Sequence, residues 1–253
     1  MDWSDDAIVL GARVHGEESA VVSVLTLARG RHVGLVRGGQ GPRVRAALEP
    51  GTRARVRWRA RLAEHLGSFV VEPLESPVAA WLDHPRVLAL MASACAVAEA
   101  VLPERQPMEG AYRGLGALLM LRDARAWPPA YVRWELNLLR VLGYGFDWRH
   151  CALTGDAEGL AFVSPKTGRA VTTEAAGSWR DRLLPLPGFL RDPACPCEEA
   201  DIGAGLALTG HFLALHALPA RGGSRQAPVL PAARERLEAM FKGEGLGSLT
   251  KPA

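Results

Sequence analysis

The stretch "GTRARVRWRARL" at residues 51–62 places an arginine at every second position. In a helix, residues two apart point about 200° away from each other, so the charges would scatter around the surface. In a strand they share one face, and the spacing therefore predicts a strand with a cationic face. That face carries Arg53, Arg55, Arg57, Arg59 and Arg61. The opposite face is then the interior, formed by Ala54, Val56, Trp58, Ala60 and Leu62.

Four further strand-like segments surround this one in the first 75 residues, at 7–14, 20–27, 32–37 and 66–73, the last ended by Pro73. They are rich in β-branched residues and are bounded by turn signals. A glycine-rich basic connection, "GGQGPRVRAALEPG" (38–51), follows Arg37 and contains Arg43 and Arg45. Five short strands in a segment of this size predict a small β-barrel of the OB type.

The remainder of the chain has a helical texture. Helix boundary signals and apolar periodicity predict helices near 83–103, 109–127, 128–145, 198–217 and 231–242. Residues 151–195 are expected to be loop-like, and "ARGGSRQAP" (220–228) is expected to be a flexible connection. The fold class is thus α+β, with an OB domain at 1–78, a helical domain at 79–150, a small loop-rich region at 151–195, and C-terminal helices at 196–253 that pack on the helical domain.

Charge is distributed unevenly. The net charge of the chain is +3, but the window from Arg29 to Arg61 holds ten arginines and one acid, Glu49. A net charge of +9 in that window leaves −6 for the rest, an asymmetry that points to a polyanionic partner. No signal peptide and no apolar run of about 20 residues is visible, so a cytoplasmic protein is expected.

Two interpretations of the arginine row remain open. Neighbouring strands could supply carboxylates that neutralise it, with Glu17, Glu18, Glu64 and Glu72 as candidates. Alternatively, the row tracks phosphates, and Arg37, Arg43 and Arg45 extend it. Aromatic residues are sparse in this segment, and Trp58 is predicted to point inward. Electrostatic contact with a nucleic-acid backbone is therefore favoured over base stacking.

No motif in the sequence supports a catalytic function. The sequence contains no nucleophile elbow, no zinc-protease helix and no kinase motif, and "RGGQG" lacks the ending of a phosphate-binding loop. His211 and His216 have the wrong spacing to share a helical face. Cys151, Cys195 and Cys197 with His150 could form a tetrahedral zinc site, but they lack paired cysteines separated by two residues.

The chain resembles the RecO family of bacterial recombination mediators. The resemblance runs through "DDAIVLGARVHGEESAVVSVLTLARGRHVGLVRGG" (5–39) and "RVRAALEPGTRARVRWRARLAEHLGSFVVE" (43–72). It is most specific in "WELNLLRVLGYG" (134–145), which is followed by His150 and Cys151. These stretches cover most of the chain.

The resemblance implies a non-enzymatic DNA-repair mediator in the nucleoid that binds single- and double-stranded DNA and anneals complementary strands. Its implied partners are RecR, the acidic tail of single-stranded DNA-binding protein (SSB) and, indirectly, RecA. It is expected to be a monomer alone, without a cofactor. The alternative is a scaffold whose basic barrel binds RNA or an acidic protein.

Two residue-level expectations follow from the resemblance. In the family the SSB tail docks near an arginine at the start of the "WELNLL" helix, and Arg133 holds that place here. Family members with zinc carry two C-x-x-C pairs, and here Thr154 replaces the second cysteine. We therefore expect a zinc-free region held by packing. The packing candidates are Phe162, Val163, Trp179 and Leu183.

Overall fold

A computed structural model describes residues 1–192, 194–218 and 229–242. The N-terminal segment forms five strands: β1 (Asp2–His15), β2 (Ser19–Thr26), β3 (Gly30–Val36), β4 (Arg53–Arg59) and β5 (Ser68–Glu75). They follow the order β1-β2-β3-β5-β4, and β4 pairs with β1 to close a barrel. The prediction of a five-stranded OB-type barrel is confirmed.

The alternation in β4 gives the barrel its interior. Ala54, Val56 and Trp58 are almost completely buried, and they join a core built from β1, β2, β3 and β5. The turn between β2 and β3 needs glycine at position 30, where φ is +67° and a Cβ would lie 1.9 Å from the carbonyl oxygen of Gln106.

Three details differ from the expected strands. β4 ends at Arg59, and Leu62 is 43% exposed rather than interior. The chain turns after Arg59, and the guanidinium of Arg105 donates hydrogen bonds to the carbonyl oxygens of Ala63, Glu64 and His65 in that turn. β5 continues through Pro73 to Glu75, and the pairing with β4 is irregular beside that proline.

The connection between β3 and β4 also differs from expectation, because it contains a short helix, α1 (Pro42–Ala47). Pro42 at its first turn has no N–H to leave unsatisfied, which suits a helix start. Arg43 and Arg45 therefore lie on a helix rather than in an extended loop.

Helices occupy much of the rest of the chain. They are α2 (Pro85–Val101), α3 (Glu109–Leu119), α4 (Trp127–Val141), α5 (Thr173–Ala176), α6 (Glu199–Phe212) and α7 (Ala232–Phe241). Short 3-10 turns cover Pro77–Trp81, Gly177–Arg182 and Gly188–Leu190, and a π-helical turn covers Leu213–Ala217. None of the helices within the described ranges is long and apolar enough to cross a membrane.

The loop-like region expected at 151–195 contains a small antiparallel sheet instead. Its strands are β6 (Leu160–Val163), β7 (Ala170–Thr172) and β8 (Leu184–Pro185), in the order β7-β6-β8. Strands of two to four residues are too short to show a period-two pattern, which is why the sequence did not reveal them. The connection expected at 220–228 lies outside the described residues.

The chain divides into two compact units, Met1–Trp127 and Pro128–Ala253. The first holds the barrel with α2 and α3, and α2 packs against β1. The second holds the small sheet, α6 and α7, and nearly all of α4. The four-part division expected from the sequence stays a prediction.

Candidate nucleic-acid interface

The arginine ladder, Arg53, Arg55, Arg57 and Arg59, lies on the outer face of β4. The outward side chains of Arg55, Arg57 and Arg59 are exposed, and that of Arg53 is partly exposed. β4 lies between β1 and β5, so side chains from both neighbours flank the ladder. Arg61 follows the end of β4 and is not part of the row.

Carboxylates from both neighbouring strands contact the ladder. Arg57 donates to Asp2 from Nε to Oδ1 at 3.1 Å and from Nη2 to Oδ2 at 2.5 Å. Arg55 Nε lies 2.5 Å from Oδ1 of Asp6. On the other side, Arg53 Nη1 lies 3.7 Å from Oε2 of Glu75. Three of the four ladder arginines are thus paired within the barrel.

The ion pairs shift the pKa values of the groups that form them. The hydrogen bond from Arg57 lowers the pKa of the Asp2 carboxyl. The bonds to Asp2 and Asp6 raise the pKa of Arg57 and Arg55 in turn. The charges therefore stabilise each other on the barrel surface before any ligand arrives.

The neutralising residues are mostly not those expected from the sequence. Among the four candidates, only Glu72 lies beside the ladder, opposite Arg55 in the β4–β5 register. Glu17, Glu18 and Glu64 form no ion pair with the ladder in the described part of the chain. Asp2 and Asp6 were missed, although their spacing of four in a strand places both on one face.

Five of the predicted arginines have no carboxylate within ion-pair distance in residues 1–192, 194–218 and 229–242. We call this set the free arginines: Arg37, Arg43, Arg45, Arg59 and Arg61. All five are exposed. Their guanidinium groups are therefore available to an external anion.

The register of the sheet places one free arginine, Arg59, at the start of β5. Ser68 pairs with Arg59 on one side and with Leu35 on the other. Arg59 and Leu35 are therefore two inter-strand spacings apart, roughly 10 Å. β3 is parallel and β4 antiparallel to β5, so Arg37 and Arg61, each two residues further along, leave the sheet in opposite directions.

The helix α1 adds two arginines to this set. Its residue Val44 packs against the barrel core, while Arg43 and Arg45 are exposed. Arg45 also lines a cleft of about 350 Å³ together with Arg13, Gln40 and the acidic Glu49. Arg43 and Arg45 thus lie on a different element from the paired arginines of β4.

Aromatic rings in the barrel are turned inward. Trp58 and Phe69 are 2% and 3% exposed, which confirms that Trp58 points into the core. Trp3 stacks on Trp58 with centroids 5.8 Å apart, and His32 meets both Trp3 and Trp58 edge to face. Trp58, Phe69 and His32 are buried and offer no platform for bases, and only Trp3 is partly exposed, so the interface suits backbone phosphates better than stacked bases.

Arg133, the candidate contact for the SSB tail, is engaged within its own unit. Its Nε and Nη2 donate to the carbonyl oxygen of Phe189 at 3.2 and 2.9 Å. The guanidinium also lies 5.3 Å from the centroid of the Phe189 ring. The side chain is half-buried.

The cysteines do not assemble with other ligands. No group of three or more His, Cys, Asp or Glu side chains that could hold a metal ion occurs among the described residues. The pKa of the Cys151 thiol is lowered to about 6. Burial alone would raise this pKa, but hydrogen bonds from Thr154, Leu153 and Thr172 outweigh the effect of burial. Absence of zinc stays a prediction.

Four residues were expected to pack in the interior of the region at 151–195, and two of them do. Phe162 and Val163 are buried in the small sheet, whereas Trp179 is 62% exposed and Leu183 is half-buried. Trp179 lies in a 3-10 turn at the surface, with the guanidinium of Arg182 stacked 5.2 Å from its ring centroid. It forms the rim of an apolar groove of about 420 Å³.

Comparison with known proteins gives matches over most of the chain. Residues 1–77 match the family model "Recombination protein O N terminal", and residues 83–226 match "Recombination protein O C terminal". The chain is 48% identical to the DNA repair protein RecO of Rhodospirillum rubrum, covering 93% of this chain and 94% of that protein. It is 46% identical to the DNA repair protein RecO of Cereibacter sphaeroides (94% and 97%) and 45% identical to that of Rhodospirillum centenum (100% of both).

Proposed function

The chain belongs to the RecO family of recombination and DNA repair proteins, and from this premise we propose that it binds single- and double-stranded DNA and anneals complementary strands. With RecR it would help to load RecA onto DNA coated with SSB. The observation that carries the proposal is the family match, which spans both units of the chain.

The free arginines support a phosphate-binding surface. A guanidinium presents a planar fork of donors that matches phosphate oxygens and keeps its charge at every physiological pH. Arginines that neutralise the phosphates of one strand reduce the repulsion that opposes a second strand. This accounts for annealing without any covalent step.

The division of the arginines into a free set and a paired set allows a direct test of the phosphate-binding surface. We expect the triple variant Arg37→Ala, Arg43→Ala and Arg45→Ala to weaken binding to a single-stranded oligomer. Each lost phosphate contact should reduce the slope of log K against log salt by about 0.7, or about 2 in all. Fluorescence anisotropy over a salt series measures this slope.

The matched control is the triple variant Arg53→Ala, Arg55→Ala and Arg57→Ala. It removes the same charge from the same barrel, but from arginines that already have carboxylate partners. Its slope should stay close to that of the unaltered protein. Equal flattening in both triple variants would contradict the assignment. No DNA binding at low salt would favour the alternative, a scaffold for RNA or an acidic protein.

Recruitment by SSB is proposed to involve Arg133. The SSB tail is acidic and ends in an aromatic residue and a free carboxylate, so a half-buried arginine that lies over an aromatic ring suits it. We expect Arg133→Glu to weaken binding of a tail peptide roughly tenfold or more, because a charge-assisted contact becomes repulsive. DNA binding should be unchanged.

Arg140→Glu is the control for this variant, since Arg140 is an exposed residue on the same helix, α4, and the change of charge is identical. Isothermal titration with the peptide and with its C-terminally amidated form would measure both variants. Identical peptide affinity in Arg133→Glu and the unaltered protein would remove Arg133 from the docking site.

A further inference from the structure

We infer that Asp2 and Asp6 act as internal competitors of phosphate, so that β1 masks a second phosphate-binding row on the β4 ladder. This inference rests on the proposed DNA binding and adds a regulatory element to the same barrel. The masked arginines are Arg55 and Arg57. In the intact protein, DNA is thereby restricted to the free arginines.

The carboxylates occupy the donor positions that a phosphate would use. Arg57 contacts Asp2 through Nε and Nη2, the same edge of the guanidinium with which arginine binds phosphate in a bidentate manner. Arg55 uses its Nε on Asp6. A phosphate oxygen therefore has to displace a carboxylate oxygen from these donors.

The acidic groups are aligned with the ladder by the β1–β4 register. Asp2 lies opposite Arg59, Ser4 opposite Arg57, and Asp6 opposite Arg55. The backbone N–H of Ala60 donates to the carbonyl oxygen of Met1 at 3.0 Å, which holds the start of β1 against the end of β4. The carboxylates are thus positioned by the sheet itself.

The Arg55–Asp6 and Arg57–Asp2 ion pairs contribute little to the stability of the fold. All four side chains are between 38% and 63% exposed, and exposed ion pairs contribute little to folding. Their effect on an approaching polyanion is larger, because the carboxylates cancel the potential of the ladder. An arginine already paired also releases fewer counterions when phosphate replaces its carboxylate, so it adds little to salt-dependent affinity.

The first experiment removes the mask. The double variant Asp2→Asn and Asp6→Asn should bind a labelled single-stranded oligomer more tightly than the unaltered protein. Exposing two arginines should steepen the slope of log K against log salt by about 1.4. The control is Glu17→Gln with Glu18→Gln, which makes the same change of charge in the turn between β1 and β2 and should leave the slope unchanged.

The second experiment asks whether the gain comes from the ladder. Arg55→Ala with Arg57→Ala should leave the slope unchanged in the unaltered protein but abolish the gain in the Asp2→Asn, Asp6→Asn background. This non-additivity is the signature of a mask. Circular dichroism of each variant would verify that the barrel is folded.

The outcomes separate the mask from the proposed function. Equal gains in the Asp2→Asn, Asp6→Asn variant and its Glu17, Glu18 control would overturn the mask, since overall charge would then suffice. A flatter slope on removal of Arg55 and Arg57 from the unaltered protein would also overturn it. Both results leave DNA binding standing, whereas an unaltered protein that binds no DNA would remove the proposed function itself.

Discussion

Replacing Arg234 with alanine is expected to lower the free energy of unfolding of the second unit by about 3–5 kcal/mol. Arg234, on α7, and Glu135, on α4, are both fully buried. Nε of the arginine lies 2.7 Å from Oε1 of the glutamate, and Nη2 lies 3.1 Å from Oε2. Alanine would leave the Glu135 carboxylate buried without its counterion.

The surrounding hydrogen bonds explain why this pair is tolerated in the interior. The hydroxyls of Tyr131 and Thr209 donate to the two oxygens of Glu135, and Arg234 also donates to the carbonyl oxygen of Leu206. Burial by itself lowers the pKa of Arg234, but the Glu135 carboxylate outweighs it and raises that pKa. The network therefore holds α4, α6 and α7 together.

Chemical denaturation followed by circular dichroism would measure the loss. Arg236→Ala is the matched control, because Arg236 is exposed on the same helix and its removal should change stability by less than about 0.5 kcal/mol. The double variant Arg234→Met and Glu135→Leu should recover much of the lost stability, since apolar replacement of a buried pair is often neutral. A loss below about 1 kcal/mol in Arg234→Ala would contradict this account.

The most specific family stretch, "WELNLL", illustrates the limit of sequence reasoning. The sequence placed Glu135 on a helix correctly, and apolar periodicity explains the burial of Trp134 and Leu138. The reason for a glutamate among them is an arginine 99 residues further along the chain. No local pattern can show a partner at that distance.

The arginine ladder shows the same division between local and distant information. The alternation predicted both the strand and its inward face, because side-chain direction in a strand depends only on the local period of two. The carboxylates that pair with Arg55 and Arg57 lie 49 and 55 residues away, on β1. Only the strand order and register show that Asp2 and Asp6 lie beside the ladder.

The last prediction concerns pH and the ring cluster inside the barrel. His32 is 5% exposed, and neither ring nitrogen has a hydrogen-bond partner among the described residues. The rings of Trp3, Trp58 and Phe69 surround it with centroids 4.9 to 6.0 Å away. A charged imidazolium at this place would be poorly solvated, so the folded barrel favours neutral histidine.

Accordingly, burial lowers the pKa of His32 from 6.5 to about 4; the positive charges of Arg105, Arg29 and Arg31 act in the same direction, and Glu104 opposes them. Because the folded pKa lies below the unfolded one, the contribution of His32 to stability is complete above pH 6.5 and is lost as the pH falls towards 4. The loss should amount to roughly 3 kcal/mol.

Urea denaturation at several pH values between 7.5 and 4, compared with His32→Phe, would isolate this contribution. Phenylalanine keeps a ring in the cluster but does not titrate, so the difference between the two proteins cancels the carboxylates that titrate in the same range. Stability of His32→Phe should fall less steeply than that of the unaltered protein below pH 6.5. Parallel pH profiles would mean that His32 acquires its proton without cost, and the barrel would then have to admit water to the ring.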